Sequence, residues 1–418
     1  MRFRPNLRAG AVAVALSVAA VVALFAGISP GAADRAGSRP SASASVSARS
    51  ALAAAASAPL TSVISVSSGL YHSCAILSDS TIRCWGDSRS VQTGASRGSS
   101  YPGSPAVQVG GIGDVASVSA GGFHTCAVLT GGAVECWGEN SSGQLGDGTL
   151  TNSSVPVAVE GLPSAVSVSA GGGDLGHTCA VLLGGAVECW GDNEQGELGD
   201  GTTTTSLVPV AVSGIATAVS VSSGLYHSCA LLSGGAVKCW GDNNYGQLGN
   251  GTNTASSTPV AVEGIAHAVS ISGGALHTCA VLSGGAIECW GSNYHGQLGD
   301  GTTTARAAPV AVSGIANAVN VSSGTFHTCA ALSDGKVKCW GYGLWGRLGN
   351  GLSSWTVFST TPVAVIGIAN AVAASAGSDS SCAVLSDGTV KCWGGNFYDQ
   401  LGNGKNLFSL VPVNVITP

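Results

Sequence analysis

Charge is scarce in this chain. Only 9% of its 418 residues are Asp, Glu, Lys or Arg, and Met occurs once. Clustered Lys and Arg are missing, so the electrostatic footprint of nucleic-acid binding is missing too. There is no Gly-x-Ser-x-Gly element and no phosphate-binding loop, which removes the usual signatures of hydrolase and nucleotide chemistry. No segment carries a helical apolar period, which argues against a helical fold. Only one apolar run is long enough to span a bilayer, and it lies at the N-terminus. No cysteine is left over as a nucleophile, because all 14 fall into pairs.

What is present starts with a leader. Arg2, Arg4 and Arg8 precede an apolar stretch over residues 9–28, and Gly31, Ala32 and Ala33 follow as small residues. A basic start, an apolar stretch and a small-residue site read as a secretory signal over residues 1–33. The rival reading is an uncleaved single-span anchor. Residues 34–59 are nearly all Ala, Ser, Gly and Arg, a composition that cannot bury a core and reads as a flexible linker. Without residues 1–33 the chain keeps 13 basic and 22 acidic residues, a formal charge of −9. We expect a secreted or cell-surface monomer that binds no nucleic acid and touches a membrane only if the leader is retained.

The cysteines pair along the chain at one spacing. Cys74 goes with Cys84, Cys126 with Cys136, Cys179 with Cys189 and Cys229 with Cys239. Cys279 goes with Cys289, Cys329 with Cys339 and Cys382 with Cys392. The pairs recur every 50 to 53 residues, and each second cysteine is followed by Trp-Gly. One unit copied seven times means a repeat architecture over residues 60–418. Behind an export signal such pairs read as disulfides. Structural zinc sites space their cysteines by two to four residues in two clusters, and one Cys-x9-Cys per unit does not fit.

The sixth unit shows the local plan. Residues 318–322 (AVNVS) alternate and form strand one, and residues 327–332 (HTCAAL) form strand two. Ser333, Asp334 and Gly335 turn the chain into strand three, residues 336–340, and residues 362–365 form strand four after a long loop. Four short strands joined by Gly-rich turns make one antiparallel sheet. Seven such sheets arranged radially protect their edges, so the expected fold is all-β: a seven-bladed β-propeller of four-stranded antiparallel blades. A three-residue turn with Gly last implies a type I turn closed by a glycine bulge. That register pairs Leu332 with Lys336 and Cys329 with Cys339, the latter at a non-hydrogen-bonded site where Cα atoms approach to about 4.5 Å. In the first unit Ser80 takes the glycine's place and should carry strain.

The motif Trp-Gly-x-Asn-x-x-Gly-Gln-Leu-Gly-(Asp/Asn)-Gly-Thr occupies residues 137–149, 240–252 and 290–302, and residues 190–202 with Glu197 for Gln. With Gly-x-x-His-x-Cys-Ala ahead of it, the repeat resembles the regulator-of-chromosome-condensation repeat family over residues 60–418. The resemblance implies a seven-bladed propeller. It also brings the founder's nuclear guanine-nucleotide exchange and chromatin binding, which an exported, acidic, disulfide-rich chain is not expected to share. Unit one lacks the Gln-Leu-Gly element, unit six has Arg347 for Gln, and unit seven lacks the His.

Most motif residues have a structural reading. The seven tryptophans should pack between neighbouring sheets. The Asp-Gly-Thr stretches suit tight turns and fail the calcium-loop pattern. His72, His124, His177, His227, His277 and His327 lie on separate blades roughly 10 Å apart, too far to share a zinc ion, and should bond local backbone. We expect no metal, no cofactor and no catalytic group.

What remains is a face. The loop before strand two and the loop after strand three share one end of every blade, and both vary. Tyr71, Phe123, Leu175, Tyr226, Leu276 and Phe326 come from the first. Tyr245, Tyr294, His295, Trp345, Trp355, Phe358, Phe397 and Tyr398 come from the second. A constant scaffold with varied aromatic loops is how a binding surface is built. The candidate contact residues are Tyr71, Phe123, Tyr226, Tyr245, Tyr294, Phe326, Trp345 and Tyr398, meeting an extracellular protein or a glycan. Loop plugs within each blade are the competing reading. Secreted propellers that inhibit β-lactamases have similar repeats and offer an analogue. A tethered display protein, with the linker as spacer, is the alternative.

Non-reducing peptide mapping of the mature protein from culture fluid should begin near Asp34 and show seven links, each inside one hairpin. Links between units, or an intact N-terminus with free thiols in cytoplasm, contradict this reading.

Overall fold

The computed structural model describes residues 58–94, 104–173, 176–353 and 357–417. The assignments of signal and linker up to residue 57, and the side chains of Leu175 and Trp355, lie outside them. Seven four-stranded sheets follow one another along the chain, over residues 63–108, 115–158, 165–211, 218–261, 268–311, 318–364 and 371–414. In each sheet the strand order is the sequence order, and every neighbouring pair described is antiparallel. The only helix among the described residues is a single 3-10 turn, Leu344–Gly346. None there is long and apolar enough to cross a membrane.

The hairpin turns behave as the sequence implies. In blade six the Gly335 amide donates to the Leu332 carbonyl at 2.9 Å, Gly335 has φ 79°, and the Leu332 amide donates to the Lys336 carbonyl. Cys329 then faces Cys339 across the ladder and is bonded to it. The other blades repeat the link. Cys74 is bonded to Cys84, Cys126 to Cys136, Cys179 to Cys189 and Cys229 to Cys239. Cys279 is bonded to Cys289 and Cys382 to Cys392. The Cα atoms of each pair stand 4.0–4.1 Å apart, a little closer than the 4.5 Å expected for an unlinked pair at this register. Ser80 does stand in the left-handed region, at φ 62°. Strand four of blade six is Phe358–Ala364, longer than the stretch after Pro362, because Ser359 and Phe358 pair with Gly341 and Tyr342 beyond a bulge.

There is no single central core. Each apolar layer lies between two blades: Cys279, Cys289, Leu298 and Val281 of blade five pack with Trp340, Val321 and Leu332 of blade six. The seven tryptophans that follow the second cysteine of each unit are fully buried in such layers. Each disulfide therefore stiffens the sheet face on which the next blade's indole rests. Ring closure uses the same contact, with Trp85 and Val63 packed on Cys382, Cys392 and Leu401. The ends of the propeller also pair, Leu60 with Val415 and Pro59 with Ile416.

At the axis, strand one of each blade donates a backbone N–H to a serine hydroxyl of a neighbouring blade. The seven bonds run from Ala120 to Ser67 around to Ser68 and Ser375, each 2.8–3.0 Å. They close a circle around an axial cavity of about 160 Å³ lined mostly by Ser, Gly and Ala, with Leu70, Leu225 and Thr325 at its edge.

Candidate functional site

The long loop after strand three is built around its Asn. In blade two, Asn140 Nδ2 donates to Asp147 Oδ1, to the Thr149 carbonyl and hydroxyl and to the Thr151 carbonyl, at 3.0–3.2 Å. Its Oδ1 accepts the Leu145 amide at 2.9 Å. One buried amide thus folds a dozen residues, and Asn193, Asn243 and Asn293 repeat the pattern.

The motif Gln does a second job with its main chain. The Gln144 carbonyl accepts Trp190 Nε1 at 3.0 Å and Thr178 Oγ1 at 2.9 Å, both from the next blade. Blade one lacks the Gln-Leu-Gly element, yet its Gln92 carbonyl takes the same two donors from Trp137 and Thr125. Thr178 Oγ1 in turn meets His124 Nε2 at 2.9 Å. Because the hydroxyl proton goes to the carbonyl, the histidine donates and carries its proton on Nε2. The six histidines bond hydroxyls of the next blade, not local backbone, which corrects the sequence expectation. The hydroxyl at the second position of strand two made the better partner, being buried and one blade away. Burial holds His72, His124, His177 and His277 down to about 3 and His227 to about 4. They fold neutral, so stability present above pH 6.5 is lost as acid protonates the unfolded chain.

This frame fixes the face. In every blade the residue after Trp-Gly, or its equivalent, donates its N–H to the carbonyl just before strand two, as Asp87 to Tyr71 and Tyr342 to Phe326. The two variable loops are thereby joined at one end. Their side chains meet across blades. Tyr71 lies 5.4 Å from Phe123 and 5.7 Å from Tyr398, and Arg89 stacks over Tyr398. Tyr245 meets Tyr294 edge-on at 5.7 Å. Phe326 touches His295, which stacks on Tyr342, and Trp345 meets Phe397 at 4.8 Å. Tyr226 and Phe326 are over a third exposed and Tyr294 is 64% exposed. Trp345 sits at φ 58°, an uncommon conformation for a bulky residue.

Arg347 and Asp379 form a pair that the sequence reading did not join. Arg347 takes the Gln position of blade six, and its Nη2 bonds Asp379 Oδ1 at 2.5 Å. Asp379 takes the place of the aromatic before strand two in blade seven. Arg347 also lies under Tyr342 and Trp345, at 5.1 and 5.2 Å. Burial pulls the guanidinium down and pushes the Asp379 carboxyl up, and the ion pair opposes both shifts. The signal was available: two departures from the repeat, one basic and one acidic, in adjacent units.

A model of the RCC1-like domain matches residues 31–367, and a regulator of chromosome condensation (RCC1) repeat model matches residues 371–400. The chain belongs to the RCC1-like domain family. The ultraviolet-B receptor UVR8 of Arabidopsis thaliana is 32% identical over 154 residues, 37% of this chain and 35% of that protein. The E3 ubiquitin-protein ligase HERC2 of Homo sapiens is 32% identical over 143 residues, 34% of this chain and 3% of that protein. The matched segments thus span well under two thirds of these relatives. Prp20p of Saccharomyces cerevisiae has the same fold, with TM-score 0.70, 21% identity and coverage of 85% of this chain and 87% of that one. Human WBSCR16 is similar, with TM-score 0.68, 20% identity and coverage of 78% and 88%.

One RCC1-like repeat departs from its neighbours in charge. In blade four, Gln247 Nε2 donates to Asp242 Oδ2 at 2.8 Å. Blade three has Glu197 and Asp192 at those positions, so a carboxyl replaces the donor. Glu197 is fully buried, and its Oε1 has no hydrogen-bond partner. Burial pushes it up to about 8, and Asp192 and Asp242 push the same way. A raised carboxyl means stability is full below the unfolded value of 4.5 and falls as pH climbs towards 8. Glu197→Gln should flatten the alkaline limb of the stability profile and raise Tm at pH 8 by several degrees, while changing little at pH 4.5. An unchanged alkaline limb in thermal scans contradicts the assignment.

Proposed function

We propose that this RCC1-like propeller is an exported, non-catalytic binding module whose partner is an extracellular protein. The observation that carries the reading is the contrast between frame and face. The frame repeats its Trp, Asn, Gln and Cys residues almost blade for blade. The face does not repeat, and its aromatic rings touch ring to ring across blade boundaries. Side chains that only plugged their own loop would have no reason to differ between blades or to stay exposed. Trp345 supports the same reading, because an aromatic held in the left-handed region costs about 1–3 kcal/mol that packing alone rarely demands.

Seven disulfides support an oxidising compartment outside the cytoplasm. The aromatic contacts reach from blade four round to blade two, a spread that suits a protein surface better than one sugar ring. The ligase function named for HERC2 stays with that protein, of which the matched segment is 3%.

The test uses whichever partner is captured from culture fluid by the intact propeller. Tyr294→Ala, Trp345→Ala and Phe397→Ala should each weaken binding by roughly 30-fold, with Tm nearly unchanged. Asp334→Ala, at the opposite end, should leave binding intact. Variants that melt early yet bind normally, or a binding loss at Asp334, contradict the proposal.

A further inference from the structure

The face is uneven in charge. Glu139, Asp192, Glu194 and Asp242 stand after strand three of blades two to four. Glu194 is exposed and Glu139 is half-buried, with Asp192 and Asp242 beneath. Among the described residues none of the four is in an ion pair. Among the described residues the arginines of the face are already engaged, Arg89 with Asp87 and Arg347 with Asp379. The face therefore offers carboxylates on blades two to four next to aromatic rings, and among the described residues neither arginine is left to neutralise the acids.

A second observation points the same way. Glu197 Oε1, fully buried and without a partner, occupies the place from which Gln247 reaches Asp242. Blade three thus lacks the side-chain amide donor that holds the equivalent Asp242 in blade four. Exposed Tyr226 and half-buried Tyr245 border the same sector on blade four. A carboxylate beside an aromatic face is suited to an ammonium or guanidinium group, which gains from both.

We propose that the partner presents a basic anchor, Lys or Arg, to the sector of Glu139, Glu194 and Tyr226, with apolar side chains laid on Tyr294, Trp345 and Phe397. The occupant is a protein segment of positive charge, matched to an acidic and aromatic surface. This rests on the binding role proposed for the face and adds the partner's chemistry to it. Charge at the rim sets the salt dependence of such a contact, and the aromatic anchors set the residual affinity.

The two halves can be separated by experiment. A random dodecapeptide display library is panned on the intact, oxidised protein, and enriched peptides are synthesised and titrated. Enriched sequences should combine Lys or Arg with Trp, Phe or Leu. Their affinity should fall about tenfold between low and physiological salt. Glu139→Gln with Glu194→Gln, with Tm followed because Glu139 also accepts from Ser90 and Ser141, should cost about tenfold at low salt and abolish most of the salt dependence. Trp345→Ala should cost roughly 30-fold and leave the salt dependence in place. Enriched peptides that are neutral or acidic, no enrichment at all, or a salt response untouched by the Glu changes, overturn the proposal. Peptides that lose affinity on Trp345→Ala but carry no positive charge sink only the charge inference. Peptides indifferent to Trp345→Ala and to the Glu changes sink the binding face itself.

Discussion

One backbone carbonyl per blade organises this molecule. The carbonyl of Gln144, and its equivalents up to Arg347, accepts an indole N–H and a hydroxyl from the following blade. A histidine of the first blade then closes on that hydroxyl. The repeat is spelled by this joint: Trp supplies the donor and the apolar mass, Thr or Ser the relay, His the second donor. The disulfide, such as Cys126 to Cys136, braces the surface on which the indole lies. Because the acceptor is main chain, the joint survives Arg347, where Gln is lost. The last joint, from blade seven to blade one, lacks the histidine, since Ser380 stands there. It keeps Trp85 on the Gln400 carbonyl and adds the pairing of the two ends of the propeller.

The joint leaves the loop tips free to vary. Side chains that would otherwise be spent on holding blades together become available at one end. Near the rim of that end the consensus fails in a correlated way. Gln becomes Arg347 where an aromatic becomes Asp379, and Gln becomes Glu197 beside Asp192. Titration pulls the two regions in opposite directions. The neutral histidines favour the fold above pH 6.5, and the buried Glu197 weakens it towards pH 8. Stability should therefore peak near neutrality.

Much of the frame was legible in the sequence. The spacing of Cys329 and Cys339 around a Gly-terminated turn fixes the register, and the same logic locates the strain at Ser80. Seven in-phase units give the blade number. The partner of each histidine was not legible, because the hydroxyl it bonds lies about 50 residues away and only the ring arrangement brings it near. The role of Asn140 was hidden likewise, since a hub is recognised by its acceptors and not by its spacing. The aromatic candidates were legible as a list, and their order round the rim needed the fold. Arg347 was visible as a departure from the repeat, yet its pairing with Asp379 needed the contact between neighbouring blades.

In the proposed reading a rigid repeating frame carries a separate, variable recognition end. Amide hydrogen exchange of the oxidised protein, with and without an enriched display peptide, tests it most directly. Slow exchange is expected in strands two and three of every blade in both states, with new protection on binding confined to the loops around Tyr226, Tyr294, Trp345 and Phe397. Protection that instead appears at the hairpin turns around Gly235, Gly285 and Gly335, with those loops unchanged, would contradict it.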